Sequence, residues 1–250
     1  MANSVKNAQS KRQQQTYLLI GVVMVAVVAV VVAILSTQSL TASNSQPTDQ
    51  AADGGPYAGI ARSVTEEGWP RLGSVDAPVA IHEYASFVCS HCADFHEETF
   101  PLLLEDVRSG RISFVYVPTF ISQYDVAGTV AAICALDQGY FWEMSDRIYA
   151  DVPRIGAQTF SRENFLAAAG DLGLDRTAFE TCLDASETLE RAQAMNQGLG
   201  DLAQQYPDID ITGTPTLTFN GVPPDFGSGL PTNAIDYIRQ RIDELSAAGG

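Results

Sequence analysis

Residues 77–92 read Ala77-Pro-Val-Ala-Ile-His-Glu-Tyr-Ala-Ser-Phe-Val-Cys89-Ser-His-Cys92, and their order decides the fold. The run from Ala77 to Tyr84 is short, apolar and preceded by turn residues, the pattern of a buried strand. From Cys89 to about Arg108 the spacing of Phe95, Phe100, Leu103 and Leu104 predicts a helix that ends near Ser109-Gly110, with a kink at Pro101. Two cysteines, with two residues between them, therefore stand where a strand hands over to a helix. The free N–H groups and partial positive charge of a helix N-terminus stabilise a thiolate. Cys89 is the expected exposed nucleophile, and Cys92, one turn inside, is placed to resolve a mixed disulfide. His91 can add positive charge or a hydrogen bond. Half of a zinc site and a plain structural disulfide are the competing readings. Tetrahedral zinc needs two further Cys or His ligands, and His82 and His96 are the only other histidines.

On the C-terminal side, Ile112–Pro118 reads as a second strand. Five helical stretches follow, Val126–Leu136, Tyr140–Ala150, Arg162–Leu172, Arg176–Leu183 and Glu187–Tyr206, punctuated by Gly139, Pro153, Gly170, Gly173 and Pro207. Thr216–Phe219 is a third strand with a turn at Asn220-Gly221, a fourth strand is expected near 223–229, and Asn233–Ser246 is an amphipathic helix. This order predicts an α/β fold with a partly parallel sheet. The helical block, about 120–207, is too long for a simple crossover and is expected to be a subdomain inserted into the sheet domain. Gly213-Thr-Pro-Thr216 stands just before the third strand, where proline is tolerated. A cis Thr214–Pro215 bond there leaves a backbone edge beside the cysteines for an extended substrate, and a trans turn is the plain alternative. Tyr84, Phe87, Phe95, Phe100, Phe141 and Trp142 form an aromatic set expected mostly in the core, with a shallow apolar groove for substrate as the lesser alternative for Phe87, just ahead of the cysteines.

The N-terminal side has a different composition. Tyr17–Leu35 carries no charge. At ~1.5 Å per residue it spans about 28 Å, close to a bilayer's hydrocarbon thickness. It exceeds the apolar stretch of a cleaved signal peptide, so a retained transmembrane anchor is expected. Lys6, Lys11 and Arg12 precede the span and the next cation is Arg62. The N-terminus (1–16) is thus expected in the cytoplasm, and residues 36–250 outside the cell membrane. Residues 36–61, rich in Ser, Thr, Gln, Gly and Asp, read as a flexible linker, and 62–250 as the folded domain. The formal net charge is −16 with 14 Lys+Arg against 30 Asp+Glu, and every lysine lies in the first 12 residues. Such a surface argues against a nucleic-acid partner.

Cys134 and Cys182 lie in two helices of the insertion, and their separation fits no metal motif. A structural disulfide, two free thiols and a second redox relay are the readings left open. Metal and cofactor sites are not expected.

From about residue 62 to 246 the chain resembles the DsbA family of thioredoxin-fold thiol oxidoreductases, especially its membrane-anchored DsbA-like and BdbD-like members. The residues carrying the resemblance are Glu83 to Cys92, the helical insertion, and Gly213-Thr-Pro-Thr-Leu-Thr-Phe219. The resemblance implies a thioredoxin-like fold with an inserted helical subdomain, a nucleophilic Cys89, a resolving Cys92 and a cis Pro215. It implies that the Thr214 hydroxyl lies near Cys89, that His91 is the histidine frequent before the second cysteine, and that Glu83 is an acid beneath the site able to relay the resolving thiol's proton. A surface acid at the strand edge is the bland reading of Glu83. Ser90 departs from the proline common in the strongest oxidants. The implied task is donating disulfides to exported unfolded or reduced proteins, with recharging by a membrane oxidase of the DsbB or VKOR type. A reductase or isomerase of the same fold, and a non-catalytic binding module, are the alternatives.

Overall fold

A computed structural model describes residues 55–248. The expected cytoplasmic N-terminus, the anchor at 17–35 and most of the linker lie outside the described residues. Among the described residues no helix is long and apolar enough to cross a membrane.

Five strands form one sheet: β1 (Arg62–Val64), β2 (Pro70–Leu72), β3 (Val79–Ala85), β4 (Ile112–Pro118) and β5 (Thr216–Phe219). Their order is β1-β2-β4-β3-β5, with β3 and β4 parallel and the other pairs antiparallel. Alternate residues of β3, Val79, Ile81, Glu83 and Ala85, are fully buried on one face. That face receives the helix connecting β3 to β4, which is what a β-helix-β crossover requires. The connection runs through α1 (Ser90–Asp94), a π-helical turn (Phe95–Thr99) and α2 (Phe100–Arg108). The expected kink at Pro101 takes the form of this π turn, in which the Phe100 N–H donates to the Phe95 carbonyl. A proline in the next turn cannot donate to its own i−4 carbonyl, so the local ladder is rearranged ahead of it.

The insertion comprises α3 (Gln123–Leu136), α4 (Phe141–Ile155), a 3-10 turn (Gly156–Phe160), α5 (Arg162–Asp171), α6 (Arg176–Asp184), α7 (Ser186–Met195) and α8 (Leu199–Gln205). A disulfide joins Cys134 of α3 to Cys182 of α6. The sequence pattern predicts one helix over 187–206, but two are found. Asn196 between them is extended, its side chain accepts from the Phe120 N–H at 2.8 Å, and the Gln197 N–H donates to the Pro118 carbonyl at 2.8 Å. Bonding to the end of β4 thus overrides helical propensity. The final helix is α9 (Ala234–Ala248).

Two further differences concern strands. β1 and β2 have three residues each, too short to show an alternating pattern. The strand expected near 223–229 is absent: only Val222 bridges back to Phe219, Pro223 and Pro224 lack N–H donors, and Gly227 and Gly229 have positive φ. The Asn220-Gly221 turn has positive φ at both residues, and the Asn220 side chain accepts from the Ala80 N–H at 2.7 Å, tying the turn to the start of β3.

Candidate active site

The site assembles where β3 ends. The loop Ser86–Val88 is held by Asp125 in the first turn of α3: the Ser86 hydroxyl donates to its carboxylate at 2.7 Å. The same carboxylate accepts from the Ile121 and Ser122 N–H groups at 3.0 and 2.9 Å. Asp125 is buried, and these donors offset the loss of water around its charge. Cys89 then occupies the N-cap of α1 with extended backbone, half-buried, while Cys92 is fully buried one turn inside. Both are free thiols.

The two sulfurs differ in charge state. A hydrogen bond from the Cys92 thiol is the largest influence on Cys89; burial opposes it, and the Thr214 hydroxyl and the backbone N–H groups of Cys92 and His91 add to it, so that the Cys89 pKa falls from 9.0 to about 5. The Thr214 carbonyl, 3.1 Å from Cys89 Sγ, accepts only from the thiol form. Four donors against one acceptor leave the thiolate favoured. Cys92 moves the other way: burial, the bond to Cys89 and the charge of Glu83 push its thiol well above the usual range.

The remaining residues singled out in the sequence divide. The Thr214–Pro215 peptide is cis, and Thr214 faces Cys89. His91 acts through its backbone N–H; its imidazole is exposed, with Asp94 3.8 Å away as its ionic neighbour. Glu83 is fully buried, which overturns the surface reading, and its Oε2 lies 2.8 Å from His96 Nε2. The sequence offers His96 only as a zinc ligand; the fold turns it inward to this carboxylate and stacks it on Tyr149 with ring centroids 4.4 Å apart. His96 Nδ1 and Glu83 Oε1 are buried without a hydrogen-bond partner. His96 also lines a cavity of about 450 Å³ shared with Tyr57, Asp146 and Tyr149. Burial lifts the Asp146 carboxyl to about 6, and the Tyr57 hydroxyl donates to it at 2.8 Å.

Phe87 does not line a groove. It is fully buried, stacked on Tyr116 at 5.3 Å and set against Gly128 of α3, where an added Cβ would meet its ring at 2.9 Å. Its place at the junction of loop and insertion calls for a filled core position. Asp125 was also missed as a site residue. The sequence does show its local signal, a Ser122-x-x-Asp125 capping box, but not its bond to Ser86.

A thioredoxin family model matches residues 65–225. Among curated proteins the chain is 32% identical over 153 residues to the Na(+)/H(+) antiporter NhaA 3 of Salinispora tropica, covering 60% of this chain and 21% of that one. It is 26% identical over 174 residues to a Rickettsia typhi protein named as a protein-disulfide oxidoreductase, covering 69% of this chain and 60% of the relative. To a Bacillus anthracis protein named for disulfide bond formation it is 27% identical, covering 63% of this chain and 73% of the relative. The chain thus spans about a fifth of the antiporter and 60% of the rickettsial protein. Among solved structures, alpha-DsbA1 of Wolbachia pipientis superimposes with a TM-score of 0.60 at 18% identity, covering 74% of this chain and 94% of that one, a likeness of fold. By the family model that covers residues 65–225 the chain belongs to the thioredoxin family, and its fold, with a dithiol at a helix N-terminus, a facing cis proline and a helical insertion between them, is DsbA-like.

Proposed function

We propose that this protein is an extracytoplasmic thiol–disulfide oxidase that donates disulfides to exported proteins through Cys89 and Cys92, tethered by an anchor at residues 17–35. The observation that carries the reading is the asymmetry of the dithiol: a half-exposed thiolate with a pKa of about 5 beside a fully buried thiol. Stabilising the thiolate stabilises the reduced enzyme, which makes its disulfide a stronger oxidant. The Cys134–Cys182 disulfide supports a location in an oxidising compartment.

The chemistry balances as follows. In the oxidised enzyme a substrate thiolate attacks Cys89 Sγ, the Cys89–Cys92 bond breaks, and its electron pair leaves on the Cys92 sulfur. Cys92 takes a proton from solvent, for which the Glu83 carboxylate, hydrogen-bonded to His96, is the proposed relay: it accepts the proton, passes it to the Cys92 sulfur and returns to carboxylate. A second substrate thiolate attacks the substrate sulfur of the mixed disulfide and releases Cys89 as thiolate. The substrate loses two electrons, the enzyme disulfide gains them, one proton stays on Cys92 and one passes to water. Thr214 and Pro215 are the proposed dock for the substrate backbone. A membrane oxidase of the DsbB or VKOR kind is the proposed acceptor of the electrons.

The test is the potential of the Cys89–Cys92 couple in the full-length chain, equilibrated against a glutathione series. The oxidase reading expects a value near the oxidising end, about −120 mV; one near thioredoxin's roughly −270 mV replaces it with a reductase.

A further inference from the structure

The segment Asp225-Phe-Gly-Ser-Gly229, expected as a strand, does other work. We infer that Ser228 is a positioning residue that latches the Thr212–Pro215 loop, and so presents the backbone of Thr214 to substrate; the inference rests on the proposed docking role of that loop. The Ser228 Oγ accepts from the N–H groups of Thr212 and Gly213 at 2.8 and 2.9 Å. It also lies 2.9 Å from Thr216 Oγ1, whose own hydrogen goes to the Gly213 carbonyl at 2.7 Å. A hydroxyl has one hydrogen to give and two lone pairs. With the Thr216 hydrogen committed to Gly213, the Ser228 hydrogen must go to Thr216 Oγ1, and its two lone pairs serve the two amides. Every valence of Ser228 is used, and the proton order of the network has a single solution.

The latch is itself pinned. The Ser228 N–H donates to the Asp210 carbonyl at 2.9 Å. A Cβ at Gly227 would lie 1.9 Å from that same carbonyl oxygen, and Gly227 has φ 74°, so only glycine fits. Phe226 packs edge-on against Tyr237 of α9 with centroids 5.0 Å apart. On the far side of the cis peptide, the Gly229 N–H donates to the Pro215 carbonyl at 2.9 Å.

The consequence is an accounting of backbone groups. The N–H groups of Thr212 and Gly213 and the carbonyls of Gly213 and Pro215 are engaged within the latch. Among the described residues nothing accepts from the Thr214 N–H, and its carbonyl holds only the Cys89 thiol. Once Cys89 is joined to substrate it has no hydrogen to give, and Thr214 offers one N–H and one C=O. That is what an extended chain needs for a mutually hydrogen-bonded residue pair. Ser228 touches neither sulfur nor substrate and acts through Thr214.

The experiment compares full-length wild type, Ser228→Ala and Ser228→Thr in two reactions: oxidation of a reduced two-cysteine peptide with saturating glutathione disulfide as terminal oxidant, and reduction of the enzyme by dithiothreitol, which has no backbone to dock. The expected result for S228A is a KM for the peptide raised about tenfold with kcat and the dithiothreitol rate within twofold of wild type, and restoration by S228T, which keeps the hydroxyl. An unchanged peptide KM, or peptide and dithiothreitol rates that fall together, overturns the inference. Phe226→Ala, at a residue 40% exposed, provides a second variant that loosens the latch without emptying it, with an expected KM rise of about threefold. Wild-type turnover of the peptide is the control for the oxidase reading, so failure of the latch and failure of that reading are told apart.

Discussion

Removing the donor at Cys92 is expected to change the acidity of Cys89 by a calculable amount. The Cys92 thiol is the first of the groups that hold Cys89 at about 5. A hydrogen bond to a charged group contributes about 1.5–3 kcal/mol, and one pKa unit is about 1.4 kcal/mol, so the bond accounts for roughly 1–2 units. Cys89 is half-buried, so water takes over part of the lost interaction and the low end applies. In Cys92→Ala the Thr214 hydroxyl and the two backbone N–H groups remain, and Cys89 should titrate about one unit higher, near 6. In Cys92→Ser a hydroxyl replaces the thiol as donor, and the value should stay near 5. Each variant leaves a single free thiol at the site, so thiolate ultraviolet absorbance against pH, checked by alkylation rate, reads Cys89 alone. Identical titrations of the two variants at the wild-type value would refute the reasoning and assign the shift to the amides and Thr214. A serine variant titrating near 9.0, the ordinary thiol value, would refute it in the other direction.

Three more expectations follow from the same geometry. Glu83→Gln keeps the hydrogen bond to His96 but removes the proton carrier, and should slow reduction of the enzyme disulfide by about a hundredfold while leaving equilibrium unfolding near wild type; stopped-flow tryptophan fluorescence across pH measures it. Replacing Cys134 and Cys182 together by alanine should lower stability by about 3–4 kcal/mol in urea unfolding and leave the potential of the Cys89–Cys92 couple unchanged. Because the folded pKa of Cys89 is about 5 against 9.0 for an ordinary thiol, its thiolate stabilises the reduced fold fully above about pH 9, and that contribution is lost as pH falls through 5. Thermal midpoints should therefore show the reduced form losing ground to the oxidised form between pH 9 and 5, and parallel curves would contradict the depressed pKa.

The central strands, the helix behind them and the two cysteines at their junction were legible because each is a local pattern: an apolar run, a helical spacing, a CxxC placed between them. Pro215 was legible for the same reason, standing just before an apolar run. What the pattern could not carry is contact between distant segments. His96 is one helical turn beyond Cys92, yet only the stacking of α1 and its π turn on β3 brings it to Glu83. Asp125 announces itself as a helix cap, while its bond to Ser86 depends on how the insertion lies over the sheet. Residues 223–229 follow the Asn220-Gly221 turn, where a returning strand is expected, but two prolines and two positive-φ glycines leave no ladder to form, and Ser228 acquires its role only from the loop it meets. The division of Glu187–Tyr206 has the same origin, since no signal in Asn196-Gln197 announces bonds to β4.

The bond between Cys134 and Cys182 has a consequence for how the first copies of this protein come to exist. Cys134 is buried in the finished fold, so the pair is most open to oxidation before α3 closes over it, while the chain is still a reduced, unfolded newcomer. That is the condition of the proposed substrates. On the proposed function, a new molecule is itself a substrate for an older one, and a cell emptied of the enzyme would rebuild its supply with a lag that shortens as product accumulates. Supply of the enzyme would then show the sigmoidal growth of an autocatalytic population rather than a constant output set by synthesis alone.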